Sequence, residues 1–233
     1  MTIMSSILFS IEKISVNVYK IKIIPESNFN FFAGQYLKII INNYYKYSFS
    51  IASIPTNKSY IELHIGISRN NLDNKKIIEY IKTRKKILID LPYGNAWLRK
   101  DTRRPIIIIS GGTGFSYARS ILLTVLKYQT YRKLYFYWNV KQIYNFYNLS
   151  ELYNLKKNNK QFSFFPLVEN IHHGWHGRTG VAFQEVMNDY HKLNEYDIYI
   201  SGNIHISKIA RQNLFFKCNA LYKRIFSDSF DFK

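Results

Sequence analysis

Residues 106–116 read Ile-Ile-Ile-Ile-Ser-Gly-Gly-Thr-Gly-Phe-Ser, an apolar run followed at once by glycines. Glycines let a backbone approach a phosphate closely, and free N–H groups at a helix start attract negative charge. A nucleotide site is the chemistry this order suggests. The match to G-x-G-x-x-G is partial, because Gly112 and Gly114 are present while Tyr117 takes the third glycine's place. No acidic residue closes the next apolar run to hold a ribose hydroxyl. A tight strand-to-helix turn without ligand is the plainer alternative. A second candidate is Tyr47-Ser-Phe-Ser50, which sets two hydroxyls beside an aromatic ring. A flavin would use a flat partner and small hydrogen-bonding groups near N5. An ordinary edge strand would carry the same residues.

Other chemistries are poorly served. His172, His173 and His176 surround Trp175, but Gly174 and Gly177 favour a solvated loop over a metal-binding helix, so no metal site is read. Cys218 is the single cysteine, which excludes an internal disulfide and is read as a buried structural thiol. No G-x-S-x-G nucleophile turn occurs.

The elements that must position these residues fall into two patterns. Val16–Ile24, Gln35–Ile41, Phe49–Ile54, Ile61–Ile67 and Ile87–Asp90 read as short strands, with one helix over Asn71–Thr83. That spacing suggests a small antiparallel barrel. Asp101–Pro105 is the expected linker. Beyond it, strands at Ile106–Ile109, Leu134–Val140, Phe162–Val168, Asp197–Ser201 and Arg224–Phe226 alternate with helices at Tyr117–Tyr128, Thr179–Tyr190 and Ser207–Phe216. The alternation predicts a doubly wound α/β unit.

Composition narrows the class. The 233 residues are 47% hydrophobic, enough for a full core, and no run of 18 apolar residues marks a membrane span. No signal peptide is read at the N-terminus. The net charge of +18 invites a nucleic-acid reading. Yet residues 1–104 hold 17 basic and 7 acidic groups, and residues 105–233 hold 16 and 8, so the excess is evenly spread. Ile, Lys, Asn, Tyr and Phe make up about half the chain, and all five have codons rich in A and T. Drift in an AT-biased bacterial genome accounts for the charge without a polyanionic partner.

Taken together, these segments resemble the bacterial NAD(P)H–flavin oxidoreductases of the ferredoxin–NADP⁺ reductase superfamily. The resemblance runs end to end through Phe32-Ala-Gly-Gln-Tyr-Leu37, Tyr47-Ser-Phe-Ser-Ile-Ala-Ser53, Ile61-Glu-Leu-His-Ile-Gly66 and Pro92–Arg99. It continues through Ser110–Leu123, Gly174–Gly180, Asp197–Gly202 and Lys208–Arg211. It implies a β plus α/β two-domain fold: an antiparallel flavin-binding β-barrel over residues 1–101, then a doubly wound parallel-sheet NAD(P)-binding domain over 102–233. By that resemblance Ser50 is the catalytic hydrogen-bonding residue near flavin N5. Tyr47, Ser48 and Phe49 line the flavin, and His64, Ile65 and Gly66 lie on the next strand of that site. Gly111, Gly112, Thr113, Gly114, Phe115 and Ser116 cradle the nicotinamide nucleotide, while Asp228 and Phe230 close the flavin site. The implied reaction moves a hydride from NADH or NADPH to free riboflavin, FMN or FAD, supplying reduced flavin for uses such as ferric iron reduction. A cytoplasmic monomer with no nucleic-acid or membrane partner is expected. The alternatives are a flavoprotein that keeps FAD and passes electrons to a protein partner, and, from another class, a basic nucleic-acid-associating protein. Three positions depart from the superfamily pattern: Tyr47 stands where an arginine grips the flavin phosphate, Trp138-Asn-Val-Lys141 where Gly-Gly-Arg is frequent, and Ser201-Gly-Asn203 where Cys-Gly-Pro is frequent.

Overall fold

Period-two burial in the first part of the chain builds an antiparallel barrel. The computed structural model describes residues 2–67, 72–170 and 174–230. Strands β1 (Thr2–Ser15), β2 (Val18–Pro25), β3 (Tyr36–Ile40), β4 (Lys46–Ser50), β5 (Ile61–Gly66) and β6 (Lys86–Tyr93) form one sheet in the order β4-β3-β6-β1-β2-β5. Its two end strands then meet. Ile51 bridges Leu63, and the Ala52 N–H donates to the Glu62 carbonyl at 2.8 Å, so the sheet curls shut. Inside lie Ile21, Ile23, Leu37, Ile39, Leu63 and Ile89, all solvent-free. Helix α1 (Leu72–Thr83) adds Ile77, Ile78 and Ile81 to the same core. Each such side chain contributes about 1.5–3 kcal/mol of burial.

Two strand expectations need correction. The strand expected at Phe49–Ile54 is β4 at Lys46–Ser50; residues 51–53 are buried, but beyond Ser50 only Ile51 takes part in sheet pairing, through the closing bridge. Strand β1 has no counterpart in the sequence reading.

The four isoleucines of β7 (Ile106–Gly111) point alternately to two cores. Ile106 and Ile108 pack with α2 (Phe115–Tyr128) and α3 (Leu149–Asn158), whereas Ile107 and Ile109 pack with α4 (Ala182–Asp189) and α5 (Ile204–Cys218). A strand covered on both faces requires such an uninterrupted apolar run. The sheet is wholly parallel, ordered β10 (Arg178–Thr179), β9 (Phe162–Val168), β8 (Leu134–Val140), β7, β11 (Asp197–Ser201), β12 (Ile225–Ser227). From β7 the chain builds outward through β8 and β9, then crosses back to β11. The carboxyl ends of β7 and β11 therefore flank the reversal point, where doubly wound sheets open a crevice. Helix α3 was not foreseen, and the helix expected from Thr179 begins at Ala182 because Arg178–Thr179 extends the sheet.

The connection between the two sheets is pinned by Arg132, which is fully buried. Its guanidinium donates to the carbonyls of Arg104 (2.6 Å) and Arg99 (3.0 Å) and pairs with Asp197 at 2.6 Å. Burial pushes the Asp197 carboxyl above its ordinary range despite Arg132, Arg224 and Arg104 beside it. Cys218 is buried in the α4–α5 core, and burial raises its thiol. His172 and His173 lie outside the described residues; His176 is exposed. Among the described residues no cluster of metal-ligating side chains occurs, and no helix is long and apolar enough to cross a membrane.

Candidate active site

A cleft of about 980 Å³ separates the barrel from the carboxyl edge of the parallel sheet. Ser48, Phe49, Ser50, His64 and Gly66 line it from β4 and β5, and Gly111 through Gly114 with Ser116 line it from the β7–α2 turn. Asp228, just after β12, completes the wall. The fold thus brings together eleven residues singled out in the sequence. Four others lie elsewhere. Ile65 alternates inward and sits in the barrel core, and Tyr47 packs half-buried against that core. Phe115 is solvent-free and stacks on Trp138 at 4.4 Å. Phe230 lies 4.8 Å from the Arg211 guanidinium, outside the cleft lining.

Ser50 joins three segments. Its hydroxyl donates to Asp228 Oδ2 at 3.0 Å, and its carbonyl accepts the Ser116 hydroxyl at 2.9 Å. Asp228 has a further neighbour in Ser229, whose hydroxyl lies 3.4 Å from Oδ1. The barrel, the start of α2 and the C-terminal segment meet at this one residue, at the end of β4. A serine hydroxyl carries a single hydrogen, so donating it to a ligand requires releasing Asp228.

The glycine turn is shaped by what it touches. A Cβ on Gly114 would stand 2.7 Å from the Ser201 carbonyl carbon and 2.8 Å from the Gly202 nitrogen, so only glycine lets α2 start so close to the end of β11. Gly112 has φ +53°, and a Cβ there would meet nothing within 4 Å. The turn is therefore tight on its sheet side and open on its cleft side, the shape a phosphate or ribose needs. Trp138 fixes it by donating its indole N–H to the Gly112 carbonyl at 2.9 Å. Thr113 reaches across to the barrel, where a Cβ on Gly66 would come 2.6 Å from its methyl.

His64 is the buried titratable group of the barrel wall. Its Nε2 lies 2.9 Å from Glu62, which also meets Arg119 at 3.1 Å. Burial drives the His64 pKa down, and the Glu62 hydrogen bond only partly opposes it. Burial would raise Glu62, but His64 and Arg119 outweigh it and hold the carboxyl below its ordinary value. On the nucleotide side, Asn139 donates to Glu169 at 2.6 Å and accepts the Ala182 N–H at 3.1 Å, fixing the far wall. Lys141 is the one lysine or arginine among the described residues that line the cleft. At the position of the superfamily arginine, Tyr47 supplies no charge.

Sequence reasoning missed Tyr147, Asn139, Glu169 and the Glu62–Arg119 pair. Glu62 and His64 share a strand face by their i, i+2 spacing, which was a usable signal. Arg119 and Tyr147 reach the site only through the tertiary fold.

Comparison with known proteins agrees with this geometry. Residues 108–212 match the family described as Oxidoreductase NAD-binding domain. The chain is 37% identical over 228 residues to the NAD(P)H-flavin reductase of Aliivibrio fischeri, covering 96% of each. It is 35% identical over 228 residues to the NAD(P)H-flavin reductase of Vibrio harveyi, again covering 96% of each. Among solved structures, the ferredoxin reductase in carbazole 1,9a-dioxygenase superposes with a TM-score of 0.86 at 19% identity, over 98% of this chain and 69% of that one. The flavohem-like FAD/NAD binding domain of nitric oxide dioxygenase from Vibrio cholerae superposes with a TM-score of 0.78 at 15% identity, over 96% and 97%. Both share the fold.

Proposed function

The chain belongs to the NAD(P)H–flavin reductases within the ferredoxin reductase-like superfamily, and from that membership we propose that it reduces flavins that enter and leave as substrates. The observation that carries the reading is the convergence of Ser50, Ser116 and the Gly111–Gly114 turn on one cleft between barrel and sheet. The flavin half is assigned to residues 1–101 and the nicotinamide half to 102–233.

The residues fit both groups. The open cleft side of the glycine turn suits a nucleotide, and Ser50 offers a hydroxyl donor on the barrel side. When both are bound, the nicotinamide supplies a hydride that the flavin accepts at N5. Ser50 is the donor assigned to that atom, and Ser116 fixes the Ser50 backbone from α2. A donor placed at the developing charge stabilises it. Asp228 holds the Ser50 hydroxyl until a ligand draws it away. Gly111 to Gly114 orient the nucleotide through backbone N–H groups. Hydride transfer asks no general base of the protein.

Tyr47 in place of an arginine, with Lys141 as the lone lysine or arginine in the described lining, supports a flavin held through its ring system. Riboflavin, FMN and FAD are then all substrates, and NADH and NADPH both serve. A single free thiol suits a reducing cytoplasm, and the reading extends to a monomer there. The test is NADH and NADPH consumption by the desalted protein with and without riboflavin or FMN. Consumption that depends on added flavin is expected; equal consumption without it would overturn the reading.

A further inference from the structure

Past the end of β4, helix α2 does what a neighbouring strand would. The β3–β4 ladder ends where Ser50 faces Tyr36, and the Ile51 N–H donates to the Gln35 carbonyl at 3.1 Å. That register leaves Ser50 and Tyr36 without mutual backbone bonds and turns the Ser50 carbonyl away from β3. The Ala52 N–H still reaches the barrel, donating to the Glu62 carbonyl at 2.8 Å. The carbonyls of Ser50, Ala52 and Ser53 turn to α2 instead. They accept the Ser116 hydroxyl at 2.9 Å, Arg119 Nη1 at 3.2 Å and the Ser120 hydroxyl at 2.7 Å.

The three donors are spaced three and four residues apart, so they share one face of α2. A serine or threonine inside a helix often returns its hydroxyl to the carbonyl four residues earlier, as Thr124 does to Ser120 at 2.7 Å. Ser116 and Ser120 bond outward to the barrel segment. Ser120 is solvent-free, so bulk water does not compete for its bond. Arg119 is steadied by Glu62 at 3.1 Å and Glu151 at 2.8 Å. Neither Arg119 nor Ser120 lines the cleft. Yet α2 opens directly from the Gly112–Gly114 turn. One helix therefore sets the spacing between the nucleotide turn and the strand end that carries Ser50.

Resting on the reading of Ser50 as the flavin-side donor, we propose that Ser120 and Arg119 are positioning residues of the hydride step. They tie the Ser53 and Ala52 carbonyls to α2, and so hold the Ser50 hydroxyl in place at the end of β4. Their contribution is to the geometry of transfer, which acts on kcat and leaves ligand binding alone.

The test begins in the free protein. Amide hydrogen exchange at Ile51 and Ala52 should be roughly three- to tenfold faster in Ser120→Ala, the scale of one missing hydrogen bond, while Ile21 and Ile23 in β2 exchange as before. Unchanged exchange at Ile51 and Ala52, or an equal rise in β2, would overturn the proposal. With NADH and riboflavin, Ser120→Ala should lower kcat by a similar roughly three- to tenfold and leave both KM values within about twofold. Arg119→Lys keeps a charge beside Glu62 and Glu151 but not the fork that also reaches Ala52, so it should show the same split. A double variant separates positioning from plain support of the fold. In Ser50→Ala protein, adding Ser120→Ala should cost less than about 1.5-fold more, because no hydroxyl is left to position. Losses that multiply would refute the positioning role. If Ser50→Ala is impaired while Ser120→Ala and Arg119→Lys both keep kcat within about 1.5-fold of the parent, this inference alone fails. Full turnover by Ser50→Ala would instead sink the reading beneath it, and the inference with it.

Discussion

Replacing Ser50 with alanine should cost turnover without unfolding the protein. The change deletes one oxygen and leaves the β4 pairing and the Ser116-to-Ser50 carbonyl bond in place, because both use backbone. A fixed donor to a developing charge is worth about 2.7–4 kcal/mol. Here the hydroxyl must first leave the Asp228 carboxylate, an interaction worth about 1.5 kcal/mol at the low end for a charged acceptor. The difference, about 1.2–2.5 kcal/mol, corresponds to a roughly eight- to seventyfold loss in rate. Stability should fall by no more than about 1.5 kcal/mol, since Asp228 keeps Ser229 as a neighbour. The loss should appear in kcat with riboflavin varied, because the interaction strengthens in the transition state. Ser48→Ala, on the same strand face one step further along, should cost less. A folded Ser50→Ala protein with kcat within twofold of the parent would remove Ser50 from the site and unsettle the other role assignments.

Gly114→Ala would drive a Cβ into the backbone of Ser201 and Gly202, so it should cost about 1–3 kcal/mol of stability and raise KM for NADH more than for riboflavin, checked by urea unfolding and steady-state kinetics. Arg132→Met strands Asp197 in the interior with Arg224 at 3.5 Å and Arg104 at 3.9 Å as weaker partners; a loss of about 3 kcal/mol, or roughly 6–12 °C in Tm, is expected by calorimetry. Tyr93 has its pKa raised from 10.0 to about 12, chiefly by its hydrogen bond to Asp90, so its contribution to stability is whole below pH 10 and is lost as pH rises toward 12. Tyr93→Phe should accordingly flatten the fall in unfolding midpoint between pH 10 and 12, and an unchanged slope would show that this bond does not matter to the fold.

The parallel half was easier to read than the barrel. Leu134–Val140, Phe162–Val168 and Asp197–Ser201 were expected with the bounds they have, because strands buried on both faces are simple apolar runs. β1 was missed because its pairing with β2 shifts register between Leu8 and Ser10 and again between Lys13 and Ser15, while Ile3, Ile7 and Phe9 face solvent. Both features erase period-two alternation. β4 was displaced because Ile51 and Ala52 are as buried as strand residues without belonging to the ladder, and hydrophobicity reports burial rather than pairing. Helix α3 buries Leu152 fully but few other side chains, leaving little periodicity to detect. At the site, contiguous motifs carried Ser50 and the glycine turn. They also swept in Ile65 and Phe115, whose side chains turn into the cores on either side. Glu62 and His64 offered a local signal in their spacing, but Arg119 and Tyr147 join them from more than fifty residues away and left none.

On the proposed reading, this cleft passes a hydride from a nicotinamide to a flavin that is free to leave. Mixing catalytic protein with equal NADH and riboflavin under anaerobic conditions, and following the flavin's visible absorbance, tests it most directly. Protein-dependent bleaching with one NADH consumed per riboflavin is expected, with similar behaviour for FMN and FAD. NADH consumed while the flavin stays oxidised, or bleaching no faster than without protein, would contradict it.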